Sequence, residues 1–593
     1  MTVESLITQH IDTWTSTVKT KSTSGRGSSK KLELYGVKKL RELILELAVR
    51  GKLVPQDPND EPASVLLERI AAEKAQLVKE KKIKKPKKLL EISEEEKCFA
   101  LPVGWEWAHL QDLTTYIQRG KGPKYAESGS VKVVSQKCVQ NSGFDLAPAR
   151  YVTDESLDAY QEERFLRDND ILWNSTGTGT VGRANVINDI PYQKIVADSH
   201  VTVIRLTNVY SRFLWCFIMA PGVQSRISPD NENALVSGST KQVELNTSSV
   251  ISLVVPVAPL AEQHRIVDKV DELMALCDQL EQQTEASIEA HQLLVSTLLN
   301  TLTNSADADE LMENWARISE YFDTLFTTEE SIDQLKQTIL QLAVMGKLVP
   351  QDTNDEPASV LLERIAEEKA QLIKEKKIKK QKALPPIAED EKPFDLPNGW
   401  EWCRGEEVAD FIDPQPSHRT PPKVEGGVPY IGYTDIDHNS GINFNNARKV
   451  SRNVLEEHRE RYELRVGDFV FGKIGTLGKP FFLTKPFDYC LSANLILIQP
   501  RNKYVEPKFL ALYLNSPTLN EVLGEQKTNS THGVFGIKKA RLLLIPLPPI
   551  KEQDLIVAKV EELETICEQL KIRLLDSHTT QLHLTDAIIE QAV

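Results

Sequence analysis

A long segment occurs twice in this chain of 593 residues. The first copy, Ile44–Lys85, aligns with the second copy, Ile339–Lys380, at an offset of 295 residues (339 − 44). The aligned positions that differ are Glu46/Gln341, Arg50/Met345, Pro58/Thr353, Ala72/Glu367 and Val78/Ile373. A repeat of this length, present once in each half, indicates that the chain is built twice from one plan.

A second repeated segment closes each half of the chain. Pro259–Leu280 aligns with Pro549–Leu570 at an offset of 290 residues (549 − 259). Its apolar positions recur at alternating spacings of four and three residues, which predicts a coiled-coil seam. In the first half these positions are Ile266, Val270, Leu273, Cys277 and Leu280. We therefore predict a long helix in each half, and core packing for Cys277 and Cys567.

The order of the two segments makes the repeat circular. In the middle of the chain the seam segment is followed by the second copy of the first repeat, whereas at the C-terminus it simply ends. The matching copy lies near the N-terminus. We therefore expect the N-terminal helix to complete the C-terminal frame, with both termini on the same side of a molecule that has a pseudo-two-fold axis.

The two inserts between the frame segments differ in sequence but share one texture. Short β-type runs, such as DILWNS and NLILIQP, are broken by Gly, Pro, Asn and Asp. We predict an α+β fold: two globular mixed α/β domains separated by a pair of long antiparallel coiled-coil helices. The predicted parts are an N-terminal helical frame (1–100), a first insert (101–258), a central frame (259–395), a second insert (396–548) and a C-terminal spacer helix (549–593).

Composition excludes several protein classes. The start, MTVESLITQH, has no basic residues before an apolar run, so we predict no signal peptide. Apolar runs fall short of the ~18 residues of a membrane span, and seven cysteines without a C-x-x-C pair fit a reducing compartment. We expect a cytoplasmic location and no membrane partner. The net charge of −14 does not exclude nucleic-acid binding, because binding depends on where basic residues cluster.

Motifs of catalysis are missing from the sequence. Gly177, Gly179 and Gly182 match the dinucleotide pattern G-x-G-x-x-G, but the residues that follow resemble a strand, so we predict a glycine-rich β-turn. The chain contains no phosphate-loop, H-E-x-x-H or G-x-S-x-G motif and no [DN]-P-P-[YFW] tetrapeptide. We therefore interpret the chain as a binding and scaffolding protein without catalytic residues or a metal site.

Several short phrases mark the borders and the interior of the inserts. LPVGWEW and LPNGWEW open the inserts, RVGDFVFGKIGTLG lies within the second, and VAPLAEQ and IPLPPIKEQ close them. In this order the phrases resemble the specificity subunit of type I restriction-modification enzymes. The resemblance implies that each insert is a target-recognition domain for one half of a bipartite double-stranded DNA site, and that the helices set the spacer. It also implies two methyltransferase and two restriction (translocase) subunits as partners. S-adenosylmethionine, ATP and Mg²⁺ would belong to those partners, and this chain would hold no cofactor.

Polar loop residues are the candidates for DNA contact, because base edges and phosphates pair with such side chains. In the first insert we select Arg119, Lys121, Lys124, Tyr125, Gln136, Lys137, Thr178, Arg183, Lys241 and Gln242. In the second insert we select Ser417, His418, Arg419, Thr420, Tyr433, Lys473, Asn529, Ser530 and His532. For any one of them a plain solvated-loop role is the alternative.

Two other functions stay open. One is a helical scaffold that does not bind DNA, although such a scaffold does not require two divergent inserts on duplicated frames. The other is the recognition module of a fused methyltransferase-nuclease, which requires catalytic motifs in the same chain.

Overall fold

The computed structural model describes residues 3–21, 31–157, 160–177, 179–190, 194–239, 242–306, 308–376, 383–417, 419–472, 479–525 and 536–593. The chain divides into two compact units. Unit 1 comprises Met1–Ser287 and Ser577–Val593, and unit 2 comprises Ile288–Asp576. Each unit contains one copy of the repeated frame and one insert.

Two helices are far longer than the others. The first spacer helix, Leu260–Thr303, has 44 residues, and the second spacer helix, Ile550–Ala592, has 43. The predicted seam is confirmed, because Ile266, Val270 and Cys277 of the first spacer helix are fully buried. Neither helix contains glycine or proline, the two residues that most disfavour a helix interior, so backbone hydrogen bonding can continue along the whole of each helix.

The repeated segment contains the end of one helix and the whole of a second helix in each unit. Its first helix, here called the repeat helix, runs over Tyr35–Val49 in unit 1 and Glu329–Val344 in unit 2. Its second helix follows a proline in both copies, at Ala63–Lys79 and Ala358–Lys374. Gly51 and Gly346 adopt φ values of +65° and +69° just beyond the repeat helices, the left-handed conformation in which a glycine commonly ends a helix.

Contacts within the units confirm the circular repeat. In unit 1, Lys52 Nζ donates to the backbone oxygen of Val593 at 2.6 Å. In unit 2, the aligned Lys347 Nζ donates to the backbone oxygen of Thr303 at 2.9 Å. The N-terminal copy therefore holds the end of the C-terminal spacer helix, as expected, and both chain termini belong to unit 1. The antiparallel packing of the spacer helices and the pseudo-two-fold axis relate the two units, and they stay predictions.

The two inserts have one sheet order despite their different sequences. The first antiparallel sheet of the first insert has the strand order Ala184–Val186, Ile171–Asn174, Val201–Leu206 and Thr114–Arg119. Its counterpart in the second insert has the order Phe481–Phe482, Phe469–Gly472, Leu495–Pro500 and Ala409–Ile412. Their central strands are apolar and buried, so both sequences favour the same arrangement.

A second sheet in each insert combines parallel and antiparallel pairing. In the first insert its order is Ile195–Ala197, Lys132–Val134, Arg150–Val152 and Tyr125–Ala126. In the second insert its order is Cys490–Leu491, Val428–Ile431 and Arg448–Val450. The first two strands of each order are parallel, so the correspondence between the inserts extends to both sheets.

Each insert is tied to its frame at the point where the chain enters and leaves it. Glu106–His109 pairs with Val254–Val257, and Glu401–Arg404 pairs with Leu544–Leu547. Trp105 Nε1 donates to Glu262 Oε2 and Trp400 Nε1 donates to Glu552 Oε2, both at 3.0 Å.

The remaining strands and helices are short. The strands are Lys19–Lys21, Lys31–Glu33, Val139–Gln140, Gly143–Phe144, Val236–Ser239, Gln242–Leu245, Ile436–Asp437 and Gly441–Ile442. The further α-helices are Val3–Gln9, Ile11–Ser16, Asp154–Leu157, Ser211–Met219, Pro221–Gln224, Thr247–Ile251, Ala308–Glu320, Phe322–Leu325, Gly405–Val408, Arg452–Arg459, Pro507–Leu514, Pro517–Glu525 and Ile537–Leu542.

The predicted α+β class is confirmed, with two repeated domains and a long helix that links them. The predicted glycine-rich turn is also confirmed, because Gly177, Gly179 and Gly182 lie between two antiparallel strands and all have positive φ. The domain boundaries given above stay a prediction. Within the described ranges, no helix is both long and apolar enough to cross a membrane.

Candidate nucleic-acid interface

Several loops of the first insert meet at the ends of its strands. The loop that begins at Gly120 lies against the turn before Val201, because Gly120 N donates to Val201 O at 2.8 Å and Lys121 N donates to Ala197 O at 3.1 Å. A Cβ atom at Gly120 would overlap the backbone of Ala197, which explains a glycine here. The loop and the turn therefore form one surface.

Arg119 lies on this surface but its guanidinium is already engaged. Its Nε donates to the backbone oxygen of Ser199, and its Nη1 forms an ion pair with Glu244. Glu244 belongs to the hairpin strand Gln242–Leu245, so Arg119 links the hairpin to the turn. The structure thus places Arg119 with the other candidates and gives it a carboxylate partner that the sequence did not indicate.

Arg183 joins the glycine-rich turn to a neighbouring loop. Its Nη1 donates to Gln140 Oε1 at 2.5 Å, and its Nη2 donates to Gly179 O at 2.6 Å. The backbone oxygen of Gln136 accepts a hydrogen bond from Asn174 Nδ2 at 3.2 Å. Gln136 and Arg183 therefore lie in the same cluster of loops, and the adjacent Lys137 is exposed.

The remaining described candidates of the first insert lie at the protein surface. Lys121 is exposed, and the ammonium of the exposed Lys124 lies 3.9 Å from Glu155. The Tyr125 ring carries the Arg150 guanidinium 4.8 Å from its centroid, and partial burial raises the pKa of the Tyr125 hydroxyl. These side chains offer hydrogen-bond donors and positive charge to an anionic ligand.

The second insert presents its candidates on the equivalent loop. Ser417, Arg419 and Thr420 are exposed between the strands Ala409–Ile412 and Val428–Ile431, whereas Gln415 beside them is buried. Tyr433 lies in a turn farther along, 6.4 Å from the His438 ring, and burial raises the pKa of its hydroxyl. Loops at the same place in the two sheets therefore carry different polar side chains.

Some predicted residues have no described side chain. Thr178, Lys241, His418, Lys473, Asn529, Ser530 and His532 lie outside the described residues. Gln242 begins the strand Gln242–Leu245, and its assignment stays a prediction.

The structure adds polar residues that the sequence analysis missed. His200 Nδ1 lies 2.5 Å from Thr176 Oγ1, in the turn that holds the Gly120 loop. Asn494 occupies the equivalent turn of the second insert, because Leu495 N donates to Ser492 O just as Val201 N donates to Asp198 O, both at 3.2 Å. The signal was available in the aligned phrases ADSHVTVIRL and LSANLILIQP, where polar residues precede a buried strand.

The described side chains suit the recognition of a nucleic acid. Arg, Lys, Gln, Ser and Thr donate to phosphates and base edges, and the mixture of donors and acceptors permits base discrimination. Within the described part of the chain, no three His, Cys, Asp or Glu side chains are grouped to hold a metal ion.

Comparison with known proteins identifies the family. The model of the type I restriction modification DNA specificity domain matches residues 102–290 and again residues 397–576. The specificity subunits of the type I restriction enzymes EcoEI and EcoAI from Escherichia coli are each 42% identical to this chain, over 100% of both sequences. The crystal structure of the HsdS subunit from Thermoanaerobacter tengcongensis is 18% identical, with a TM-score of 0.41 over 84% of this chain and 98% of that one. Two matches to the family model and full-length relatives at this identity establish that the chain belongs to the specificity subunits of type I restriction-modification enzymes.

Proposed function

We propose that this chain selects the DNA sequence on which a type I restriction-modification complex acts. Each insert reads one half of a bipartite double-stranded site, and the spacer helices set the length of DNA between the halves. The main support is that the inserts share both sheet orders while their loops differ, with Lys121 and Lys124 on one and Ser417 and Arg419 on the other. One scaffold that carries unlike polar loops suits two half-sites that are not palindromic.

A methyltransferase and a restriction subunit are the proposed protein partners, two of each. The frame supports paired partners, because each unit exposes apolar side chains at the same two aligned positions. In unit 1 these are Leu276 and Leu584, and in unit 2 they are Ile566 and Leu294. Exposed apolar residues at duplicated positions fit two copies of one partner. S-adenosylmethionine, ATP and Mg²⁺ would be bound by the partner subunits, and this chain would contribute recognition without catalysis. A cytoplasmic location stays a prediction.

The decisive experiment is co-expression of this chain with its methyltransferase partner, followed by sequencing of modified bases in the host DNA. We expect methylated adenines in a split motif of two short blocks with a fixed gap. When residues 108–257 are exchanged for the insert of another such subunit, one block should change and the other should persist. An assembled, active complex that adds no methylation would instead support the scaffold function, and methylation by this chain alone would support the fused enzyme.

A further inference from the structure

A buried histidine lies behind the exposed loop of the second insert. His458, on the helix Arg452–Arg459, is 1% exposed. Its Nδ1 lies 2.8 Å from the Tyr462 hydroxyl and its Nε2 lies 2.7 Å from Gln415 Oε1. Since Gln415 belongs to the loop that carries Ser417 and Arg419, the histidine connects the core of the insert to its candidate DNA-contacting loop.

One group that can only accept sets the direction of the hydrogen bonds from Gln415 through His458 to Tyr462. The backbone oxygen of Arg419 can only accept, so the Gln415 group that lies 3.3 Å from it is the amide Nε2, which also donates to Ser417 Oγ at 2.9 Å. Gln415 Oε1 therefore accepts from His458 Nε2–H. Nδ1 of the neutral ring must then accept from the Tyr462 hydroxyl.

Two arginines hold the backbone at the ends of the same loop. Arg461 Nη1 donates to Pro414 O at 3.2 Å, and Arg448 Nη1 donates to Pro421 O at 3.1 Å. Arginine thus holds both ends of the loop, and the Gln415 side chain holds its middle through Ser417 and Arg419, whose side chains are exposed. A loop that is fixed from the interior and exposes polar side chains is suited to present them in a defined geometry.

The equivalent loop of the first insert is also held from behind, by different residues. The hydroxyl of the buried Tyr160 donates to Lys121 O at 2.8 Å, and Arg164 Nη1 donates to Arg119 O at 3.4 Å. Both inserts therefore support the loop at this place with side chains from the interior. In the second insert the support is the hydrogen-bonded chain Tyr462–His458–Gln415, here called the histidine relay.

We propose that His458 and Gln415 are positioning residues that set the base specificity of the second insert. This inference rests on the proposed DNA-reading function. His458 contacts the loop and not the ligand, and the relay determines where Ser417, Arg419 and the loop backbone lie when DNA binds. Base discrimination by hydrogen bonds depends on this geometry. A displaced donor loses its hydrogen bond to the correct base, so the correct base is then bound little better than a wrong one.

The test uses the full chain in complex with its methyltransferase. Methylation is measured on a duplex library in which every base of both half-sites is varied singly. His458→Ala removes the relay, Gln415→Leu cuts it at the loop, and His458→Gln retains a donor and an acceptor. Glu457→Ala, an exposed change on the same helix, is the matched control. Thermal unfolding of each variant confirms that it is folded.

We expect His458→Ala and Gln415→Leu to reduce discrimination by about tenfold at one half-site, with the other half-site unchanged. His458→Gln should recover part of the loss and Glu457→Ala should match the wild type. Gln415→Leu keeps the test decisive if His458→Ala does not fold, because it leaves the His458–Tyr462 contact in the core intact. Equal loss at both half-sites, or unchanged discrimination in a folded Gln415→Leu variant, would overturn the positioning role. Absence of split-site methylation by the wild-type complex would instead overturn the proposed function.

Discussion

Two buried ionisable residues, His458 and Glu262, have pKa values that differ from their usual ones. His458 is neutral in the folded protein, because burial, with a contribution from Arg461, lowers the pKa of its imidazole from 6.5 to about 4. Burial raises the pKa of the Glu262 carboxyl, although the hydrogen bond from Trp105 acts in the opposite direction. Each group has a hydrogen-bond partner, and each has a pKa that differs between the folded and the unfolded chain. Each therefore makes the free energy of unfolding depend on pH.

The pKa of His458 predicts a loss of stability in acid. The unfolded chain binds a proton near pH 6.5, whereas the folded insert resists protonation down to about pH 4. The stabilising contribution is therefore complete above pH 6.5 and declines as the pH falls toward 4. We expect the unfolding temperature of the second insert to fall over this interval and the decline to be smaller in His458→Gln. Equal pH profiles for the variant and the wild type would contradict this assignment.

The pair of Glu262 and Trp105 predicts a different response. Glu262→Leu leaves Trp105 Nε1 buried without an acceptor, and it should cost about 1–3 kcal/mol in the free energy of unfolding. Glu262→Gln keeps an acceptor and removes the charge. Because the folded carboxyl has a raised pKa, the wild type loses stability as the pH rises above about 4.5, so Glu262→Gln should be more stable relative to the wild type at neutral pH than in acid. Chemical denaturation at two pH values measures this, with Glu285→Gln on the exposed face as the control.

At the scale of elements, ion pairs distinguish two nearly identical frames. In unit 1, Arg41 of the repeat helix pairs with Asp278 at 2.7 Å and with Glu281 at 2.5 Å. In unit 2, the aligned Lys336 pairs with Glu568, while Lys571 pairs with Asp333 at 2.5 Å. Lys571 aligns with Glu281 and Asp333 aligns with Lys38, so the charge at both positions is reversed between the units. Each repeat helix thus complements the spacer helix beside it.

This reversal predicts a compensating pair of substitutions. Lys571→Glu places a second carboxylate against Asp333 and should destabilise unit 2 by about 0.2–1 kcal/mol, because the pair is partly exposed. Adding Asp333→Lys should restore the lost stability, and a double-mutant cycle on the free energy of unfolding measures the coupling. The exposed Glu562→Gln change, which affects a pair within one helix, is a control for general charge effects. A cycle with no coupling energy would contradict the pairing.

At the scale of the whole molecule, the two ends of the chain belong to one unit. Besides the Lys52–Val593 contact, the Tyr35 hydroxyl donates to Asp586 Oδ1 at 2.9 Å, and the hydroxyls of Thr17 and Thr585 lie 3.1 Å apart. The last turns of the second spacer helix therefore stabilise the first frame, although they are the last residues of the chain.

Removal of residues 585–593 should destabilise unit 1 selectively. Each lost hydrogen bond contributes about 1 kcal/mol, and the apolar contacts of the final turns add to this. Amide hydrogen exchange should increase in the repeat helix Tyr35–Val49 and stay unchanged in Glu329–Val344. Glu590→Ala, an exposed change in the same turns, should leave exchange in both helices as in the wild type. Equal exchange in both repeat helices after truncation would contradict the circular frame.

The amino-acid sequence alone determined the plan of this protein. The duplicated segments specify the two frames, the seam of alternating fours and threes specifies the spacer helices, and the unpaired copy near the N-terminus specifies the circular order. These inferences succeed because the underlying interactions are local or strictly repeated, so periodicity and self-alignment report them directly.

Only the tertiary structure decided how the recognition surfaces are assembled. The ion pair of Arg119 with Glu244, the contact of His200 with Thr176, and the support of the loop by His458 join residues that are not neighbours in sequence. The inserts are divergent, so self-alignment does not identify these partners, and no periodic pattern records a contact across a sheet. Their positions follow from strand order and register, which are set when the buried strands pair in three dimensions.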